Sequence, residues 1–401
     1  MKIAFIGSLP AVAVLPEEFV REKDRGGNHP APWIVALLPA LAAISGFKLR
    51  MVLVQRGILS HCLIERDGIE FEGIPYPMPE RFAGRFLHLP KALLARRALQ
   101  RFQPDLVHAF GMETGSATIA MCSGFPVSCF IQGMWELLAP LKDGVPRGEI
   151  VMGRWCESRA VARIRWFVAE NEFARQWAVG RNPAARVTVI PHPLRQDFLV
   201  NAAPTYQPQI ITVGGLNRHK GMDIVIRAFA QVKAPGARLC IVGSGPLEAS
   251  LKELAGSLRL AERVEFTGSL ETDQVIERMN ASTALAIGSR MDTSPNVVSE
   301  AHAIGLPVIG TRVGGIPEMI DEGTNGYLVD GDDAQAMGER MDRLLSDPET
   351  CRRLGEAGRE KVRLLNSPAA VAQAHVDFFL KIREELRDRA MPNTPLHPKR
   401  R

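Results

Sequence analysis

The stretch ALAIGSRMDTSPNVVSEAHAIGLPVIG, residues 284–310, carries the pattern that decides the fold. The apolar run Ala284–Ile287 predicts a strand, and Ser294 predicts an N-cap before a helix whose first residue is Pro295. Gly305 predicts the end of that helix, and Pro307–Ile309 predicts the next strand. A strand, a loop, a helix and a strand in this order are typical of a parallel α/β sheet, where ligands bind at the strand ends.

The same alternation runs through the second half of the chain. Strands are predicted at Ile210–Val213, Leu239–Val242, Val264–Thr267, Ala284–Ile287, Pro307–Ile309 and Tyr327–Val329. Helices are predicted near 222–233, 247–257, 272–280, 296–304, 315–321 and 333–346. Strict alternation of this kind predicts a doubly wound α/β domain.

The first half predicts a second domain of the same class, with a helix at Trp33–Ile44. Its apolar strand candidates are Ile3–Ile6, Leu49–Val54, Leu106–His108, Val127–Ile131, Trp166–Ala169 and Val187–Ile190. Apolar runs without polar alternation suit a parallel sheet covered on both faces. We therefore expect two Rossmann-like doubly wound domains, residues 1–200 and 201–368, that face a central cleft. A C-terminal helix over 369–390 is expected to pack back on the first domain, followed by a flexible tail, 391–401.

Composition narrows the class of protein. The 401 residues are 46% hydrophobic and 23% charged, which excludes disordered, collagen-like and coiled-coil chains. The net charge of +5 is uneven, because residues 1–200 hold 24 basic and 18 acidic side chains, or +6. The six scattered cysteines form no CxxC pair and favour a reducing cytoplasm. The N-terminus lacks a signal-peptide pattern, and the uncharged stretches 26–47 and 114–135 are interrupted by Pro or Gly, which favours buried elements over membrane spans.

The loop and helix at residues 291–305 predict an anion site. Free N–H groups at a helix N-terminus suit a phosphate. Asn296 and Glu300 share one helix face, so the Glu300 carboxylate is placed to accept hydrogen bonds from ribose or sugar hydroxyls. The alternative is an ordinary capped helix with a solvated Glu300.

Three further strand-to-helix turns border the same sheet edge. VGGLNRHKG, residues 213–221, places Arg218 and Lys220 where a diphosphate would need cations, although a solvated turn explains it equally. VGSGPL, residues 242–247, half-matches GxGxxG and predicts a tight turn. GGIPE, residues 314–318, opens the helix predicted near 315–321 and by itself indicates only a turn. Asp330-Gly331-Asp332 imitates a metal-binding DxD, but Asp332 or Asp333 as an N-cap is the favoured interpretation.

Together, these segments resemble glycosyltransferase family four, the retaining enzymes of the glycosyltransferase-B fold. VGGLNRHKG, VGSGPLEASL, VEFTGSL, DTSPNVVSEAHAIGLPVIGTRVGGIPEMI and NGYLVD fit the family in order across Gln209–Asp330. The first half fits more loosely, through Gly26-Gly27, PDLVHAFG at 104–111 and VIPHP at 189–193. The family often has Asn where this chain has His192.

The resemblance implies a donor site and the residues that form it. Lys220 would contact the donor diphosphate, Glu300 the ribose hydroxyls, and the helix N-terminus the phosphate or sugar. The catalytic residues it implies are Lys220, Arg218, Asp292, Glu300 and Gln132. The donor-binding residues it implies are Gly26, Gly27, Gly214, Gly215, Gly243, Gly245, Pro246, Thr267, Gly268, Ser294, Pro295, Asn296, Val297 and Val298. No metal and no cofactor are expected, because the nucleotide sugar is a co-substrate.

Three positions depart from the family pattern. Gly215 stands where the family has an Arg, so Arg218 is the nearest substitute cation. Asp292 replaces the first Glu of the paired-glutamate motif, giving D-x7-E. Gln132-Gly133 replaces a His-Gly pair, and Gln cannot carry a proton.

The basic segment 81–101, RFAGRFLHLPKALLARRALQR, has six bases and no acids. It suits a helix on an anionic membrane surface, or equally a helix whose leucines face the core while its bases are solvated. Related enzymes often use lipid-linked acceptors. Nucleic-acid binding is disfavoured, because no recognition motif accompanies the charge.

The expected function is a retaining glycosyltransferase that moves a sugar from a nucleoside-diphosphate donor, UDP favoured and GDP next. The acceptor is a hydroxyl of a glycan, a lipid-linked molecule or a small molecule. The expected location is cytoplasmic, with peripheral attachment at the inner face of the membrane as an alternative. A nucleotide-sugar epimerase of the same fold stays open, as does a non-catalytic nucleotide-sugar-binding paralogue.

Overall fold

The computed structural model describes residues 1–22, 32–78, 86–112, 115–141 and 145–390. Its first sheet has eight strands: β1 Lys2–Ile6, β2 Lys48–Gln55, β3 Cys62–Arg66, β4 Ile69–Pro75, β5 Leu106–Phe110, β6 Val127–Ile131, β7 Trp166–Ala169 and β8 Arg186–Val189. Their order is β3-β4-β2-β1-β5-β6-β7-β8, and every pair is parallel except β3 with β4.

The antiparallel hairpin β3–β4 was not predicted from the sequence. Asp67 and Gly68 join its strands with φ angles of 52° and 76°. A two-residue hairpin turn needs positive φ at both positions, and Asp-Gly is a preferred pair for it. The turn signal was therefore present, but charged residues interrupt both strands, so neither forms the uninterrupted apolar run that marks the other strands of this sheet.

The second sheet is entirely parallel. Its strands are β9 Gln209–Val213, β10 Arg238–Val242, β11 Val264–Gly268, β12 Ala284–Ile287, β13 Val308–Thr311 and β14 Gly326–Val329. Their order, β11-β10-β9-β12-β13-β14, is that of a doubly wound nucleotide-binding sheet, with its switch point between β9 and β12. The predicted fold class, two facing α/β domains with a C-terminal helix, is confirmed.

Helices cover both sheets. Those up to residue 200 are Ala11–Val14, Pro32–Ala42, Leu89–Phe102, Ser116–Met121, Trp135–Leu138, Arg147–Arg163, Glu172–Arg181 and Gln196–Val200. The others are Met222–Phe229, Glu248–Ser257, Thr272–Asn280, Asn296–Ile304, Ile316–Met319, Ala334–Ser346, Pro348–Leu365 and Pro368–Ala390. Short 3-10 turns lie at Glu17–Phe19, Ala139–Leu141 and Arg218–Lys220. Within the part of the chain that the structure describes, no helix has the length and apolar character to cross a membrane.

The last helix, Pro368–Ala390, joins the core of the first sheet. Its Val371 and Phe379 are buried with residues of β1 and of the helix Pro32–Ala42. The Phe5 and Phe379 rings lie 6.2 Å apart. The chain therefore passes between the two sheets twice, once through residues 190–208 and once near Asn366.

The start of the helix at the predicted anion site differs from the prediction. The helix begins at Asn296, and Pro295, extended with ψ of 110°, takes the N-cap position without a side-chain cap. Ser294 is therefore not the N-cap, and its Oγ lies 4.0 Å from Met319 Sδ. The chain stays extended here because Thr293 contacts the first domain through both its hydroxyl and its carbonyl, as described below.

Candidate active site

A cavity of about 190 Å³ lies between the carboxyl ends of the two sheets. Its lining comprises Trp33, Gln132, Leu138, His192, His219, Lys220, Met291, Asp292, Thr293, Ser294, Pro295 and Asn296. Six of the predicted site residues, Gln132, Lys220, Asp292, Ser294, Pro295 and Asn296, are thus brought together at one place.

Lys220 and Asp292 form an ion pair in the cavity wall. Lys220 Nζ lies 2.6 Å from Asp292 Oδ2. The Asn217 side chain caps the turn and accepts from Lys220 N–H at 3.3 Å. Gly221 closes the turn with φ of 60°, where a Cβ would lie 1.8 Å from the Gly288 carbonyl. The turn is therefore pressed against the loop after β12, which fixes the Lys220 ammonium at the cavity.

Arg218, the predicted substitute cation, is exposed and lies outside the cavity lining. Its carbonyl accepts a hydrogen bond from Arg290 at 3.2 Å. Arg290, which was not predicted as a site residue, pairs with Asp223 at 2.8 Å and Asp332 at 3.0 Å. Hydrogen bonding to Arg290 lowers the pKa of Asp223. Asp332 of the DxD-like segment is thus engaged by an Arg, and Asp333 is the N-cap that accepts from Ala336 N–H.

Within the described ranges, no three His, Cys, Asp or Glu side chains are grouped so that they could hold a metal ion.

Glu300 lies beside the cavity and pairs with Arg195 of the segment between the sheets. Arg195 Nη2 donates to Glu300 Oε1 at 2.9 Å, and Nη1 donates to Thr272 Oγ1 at 2.8 Å. Burial raises the pKa of the Glu300 carboxyl, while Arg195 lowers it. Among the described residues nothing donates to Oε2, so that oxygen is available to a ligand hydroxyl. Arg195 was not predicted, because no motif marks it.

The N-terminus of the helix Asn296–Ile304 offers two backbone donors. Val298 N–H already donates to the Pro295 carbonyl at 2.9 Å. The N–H groups of Asn296 and Val297 donate to no residue in the described ranges, as expected for the first turn of a helix. Of the predicted backbone stretch, these two are therefore the groups left for an anion.

The predicted glycine loops after β9, β10 and β11 pack against one another. A Cβ on Gly243 would lie 2.0 Å from the Gly214 carbonyl, and one on Gly245 would lie 2.4 Å from the Leu216 carbonyl. Gly215 and Pro246 belong to the first two of these loops, and Thr267 and Gly268 are the last two residues of β11. Glycine is needed because backbone approaches backbone here. These loops lie at the carboxyl edge of the second sheet, but none of the predicted residues of these loops or of β11 lines the cavity. Gly26 and Gly27 fall outside the described residues.

Thr293 joins the two domains next to the cavity. Its Oγ1 donates to the Gln132 carbonyl at 3.2 Å, and its carbonyl accepts from Asn171 Nδ2. Glu318 accepts from the Glu172 and Phe173 N–H groups, each at 2.7 Å. The segment 314–318, predicted as a turn that opens a helix, is thus part of the contact between the domains.

Two family models together match most of the chain. The model described as Glycosyltransferase Family 4 matches residues 33–197, and the model described as Glycosyl transferases group 1 matches residues 195–361. Together they contain every strand of the two sheets except β1.

Curated relatives match parts of the chain. An N-acetyl-alpha-D-glucosaminyl L-malate synthase of Bacillus anthracis is 33% identical over 178 residues, which is 44% of this chain and 46% of that protein. A GDP-mannose-dependent alpha-(1-6)-phosphatidylinositol monomannoside mannosyltransferase of Mycolicibacterium smegmatis is 33% identical over 162 residues, 38% of this chain and 42% of that protein. A sulfoquinovosyl transferase of Arabidopsis thaliana is 30% identical over 69% of this chain and 56% of its own length. The chain thus spans about half the length of the curated relatives it matches.

Solved structures share the fold over nearly the whole chain. A sucrose-phosphate synthase from Thermosynechococcus elongatus has a TM-score of 0.78 at 20% identity, covering 96% of this chain and 100% of that one. An Anabaena protein in complex with UDP has a TM-score of 0.69 at 16% identity, covering 97% and 100%. At these identities the likeness shows the fold alone.

Proposed function

Because the chain belongs to glycosyltransferase family four, we propose that it is a retaining glycosyltransferase that uses a nucleoside-diphosphate sugar. UDP-sugar is the favoured donor and GDP-sugar the next. The observation that carries the proposal is the cavity between the sheets, which brings together Lys220, Asp292 and the helix N-terminus at Asn296. A cation and free backbone N–H groups suit a diphosphate, and carboxylates suit hydroxyl groups.

In the proposed reaction the chain supplies charge and position rather than a nucleophile. The bond between the anomeric carbon and the diphosphate oxygen breaks, and the acceptor oxygen bonds to the same face of the sugar. The departing phosphate oxygen takes the acceptor proton. Lys220 and the N–H groups of Asn296 and Val297 stabilise the negative charge that grows on the diphosphate. These groups support the expectation that the reaction needs no metal.

The other groups of the site would orient the sugar and nucleotide. Glu300 Oε2 would accept from the ribose, and Asp292 with the Gln132 side chain would contact sugar hydroxyls. The acceptor would enter from the first domain, where Trp33 and Leu138 give the cavity an apolar wall. Stacking of a sugar or lipid headgroup against such a wall would exclude water from the reacting atoms.

We also propose that the first domain makes peripheral contact with a membrane. The helix Leu89–Phe102 exposes Leu93 at 66% beside exposed Arg96 and Arg97, an arrangement that suits an anionic lipid surface. Residues 81–85 of the basic segment lie outside the described ranges. Flotation with vesicles containing an anionic phospholipid at low salt tests the contact, and no recovery in the vesicle fraction would contradict it.

A thermal-shift screen with UDP-, GDP-, ADP- and TDP-sugars tests the donor, because a ligand that binds the folded chain raises its apparent stability. We expect a UDP-sugar to raise the melting temperature. The proposal would be contradicted if none of the four donors raised it. NMR of the nucleotide sugar then separates the alternatives. Transfer with retained configuration supports the transferase, an altered sugar without acceptor supports an epimerase, and tight binding without turnover supports a binding protein.

A further inference from the structure

A buried carboxylate lies behind the cavity and is not used by the proposed reaction. Glu170 follows β7, is 4% exposed, and both of its carboxylate oxygens are buried without a hydrogen-bond donor in good geometry among the described residues. His192 Nε2 lies 3.4 Å from Oε2. Burial raises the pKa of Glu170, and His192 and Thr293 lower it. An unpaired buried carboxylate is costly, so its retention next to a cavity calls for a partner that carries charge.

The His192 ring connects this carboxylate to the helix N-terminus. It stacks on Trp33 with ring centroids 4.3 Å apart and an interplanar angle of 13°, and on Phe130 at 5.5 Å. Its Nδ1 lies 2.8 Å from Asn296 Oδ1. The ring therefore lies between the Asn296 amide oxygen and the Glu170 carboxylate, which Nε2 approaches to 3.4 Å without a hydrogen bond in good geometry.

Hydrogen-bond chemistry restricts the protonation of this ring. A neutral imidazole carries one N–H, whereas two acceptors need two N–H groups, as in the imidazolium form. If the imidazole were neutral with its proton toward Glu170, Nδ1 would need a donor, and the Asn296 amide would have to turn its NH2 group toward the ring. The amide oxygen would then face the opposite way. A neutral ring with its proton on Nδ1 would also keep the amide oxygen toward the ring, but its Nε2 lone pair would then face Glu170, which an ionised carboxylate disfavours. With Glu170 ionised, the imidazolium is the form that suits both neighbours and leaves the Asn296 NH2 group for a ligand.

We propose that Glu170 and His192 form a charged pair that holds the Asn296 amide with its NH2 group toward the donor diphosphate. His192 is a positioning residue in this arrangement, because it acts through Asn296. The inference rests on the proposed function in one respect, the identity of the ligand. Phosphate oxygens only accept hydrogen bonds, so an amide NH2 group contributes to binding and an amide oxygen repels. The Asn296 NH2 group would partly replace the Arg that the family pattern has at the position of Gly215.

The NH2 group is free for that purpose. Asn296 Nδ2 donates to no residue in the described part of the chain, and Asn296 lines the cavity. The other charged or titratable groups around the pair are Asp292, which raises the pKa of Glu170, and His375 of the last helix, whose pKa is lowered chiefly by burial and also by His192. Lys220 neutralises Asp292 at 2.6 Å, so Glu170 is the carboxylate left to favour the imidazolium.

The first test needs no ligand. Protein labelled with ¹⁵N-histidine is measured by NMR at pH 7, and the His192 signals are assigned by their absence in His192→Asn. We expect two similar nitrogen shifts, as in an imidazolium, and the split pair of a neutral ring in Glu170→Gln. A neutral His192 ring in the unchanged protein would overturn the proposal.

The second test is UDP binding by calorimetry, with thermal melts to select folded variants. His192→Asn puts an amide nitrogen near the place of Nδ1, and we expect its affinity for UDP to stay within about threefold of the unchanged protein. His192→Gln puts the amide nitrogen near the place of Nε2, and we expect its affinity for UDP to fall about tenfold, as for the loss of one charge-assisted hydrogen bond. Glu170→Gln should also lose about tenfold. The matched control is Glu72→Gln, a carboxylate equally buried but paired with Arg50 in the first sheet.

The outcomes separate the two proposals. Equal UDP affinity of folded Glu170→Gln, His192→Gln and the unchanged protein would overturn the role of the pair while leaving the transferase intact. If the unchanged protein binds no nucleotide, the proposed function fails, and the NMR arm alone decides whether the charged pair exists.

Discussion

Lys220 is the position at which the proposed donor site can be tested most directly, by the variant Lys220→Ala. In the structure its ammonium is 2.6 Å from Asp292 and its side chain is 26% exposed. In the donor complex the same ammonium would face the diphosphate. We expect Lys220→Ala to lower kcat/KM by at least about 100-fold, the usual loss when one preorganised charge contact is removed.

Loss of the ion pair with Asp292 adds a second effect, which is electrostatic repulsion that lowers the affinity for the diphosphate. Without Lys220, the Asp292 carboxylate is left facing the diphosphate. Two like unit charges about 8 Å apart repel by about 2 kcal/mol at an effective dielectric constant of about 20. That energy corresponds to about 30-fold in affinity. The double variant Lys220→Ala/Asp292→Asn should therefore bind UDP more tightly than Lys220→Ala alone, and the recovery should be about tenfold or more.

UDP binding by calorimetry is the assay for this comparison, because UDP lacks the transferred sugar that Asp292 would contact. Turnover with the donor found by screening gives kcat/KM for the single variant. The matched control is Lys252→Ala, whose ammonium makes an exposed pair with Glu248 at 2.7 Å and should leave both quantities unchanged. Near-normal turnover of Lys220→Ala would refute its place at the diphosphate. A double variant that binds no better than the single one would refute the role given to Asp292.

Three further predictions concern the surroundings of the cavity. Arg195→Gln should raise the donor KM about tenfold with a smaller change in kcat, because Glu300 loses its 2.9 Å partner; steady-state kinetics with an unchanged KM would contradict this. Gly315→Ala should lower the melting temperature and weaken UDP binding, since its Cβ would lie 1.9 Å from the Thr293 carbonyl, whereas Gly256→Ala, which meets nothing within 4 Å, should do neither. Burial raises the pKa of Glu157 to about 7, so from about pH 5 to 7 the folded chain keeps a proton that the unfolded chain has lost. The stability of the unchanged protein relative to Glu157→Gln should therefore fall with rising pH by about 1.4 kcal/mol per unit in urea unfolding, and a constant difference would refute the assignment.

The parts of the site that could be predicted are local in sequence. Lys220, Asp292 and Asn296 lie in turns between a strand and a helix, so the alternation of elements alone places them at one sheet edge. Glu170 follows an apolar strand like many others, and no motif in the sequence indicates that its partner, His192, lies 22 residues further on in a different segment. Contacts between distant segments depend on how the two domains meet, and a single sequence does not encode that angle in any readable motif.

The segment GGIPE, residues 314–318, has a local structure that could be predicted and contacts that could not. Its glycines predict a turn, and the turn exists. The reason for glycine, however, is the approach of the Thr293 carbonyl to Gly315 and of the Asp292 carbonyl to Gly314, and Glu318 caps a helix of the first domain. The local pattern therefore predicts the turn correctly, but it does not predict that the turn contacts the other domain.

The connection between the sheets, residues 190–208, couples the geometry of the donor site to the angle between the domains. His192 and Arg195 lie three residues apart on this connection and contact the same helix, at Asn296 and Glu300. The connection is tied to the second crossing of the chain, because Asn366 Nδ2 donates to the His192 carbonyl at 2.8 Å and Leu194 N–H donates to the Asn366 carbonyl at 2.7 Å. A rotation of one domain about this joint displaces the helix relative to Trp33 and Phe130, on which the His192 ring stacks, whereas Arg195 stays with the second domain, whose core contains Leu194 and Phe198. A donor that needs both His192 and Arg195 must favour one interdomain angle, and by linkage that angle must favour the donor to the same degree.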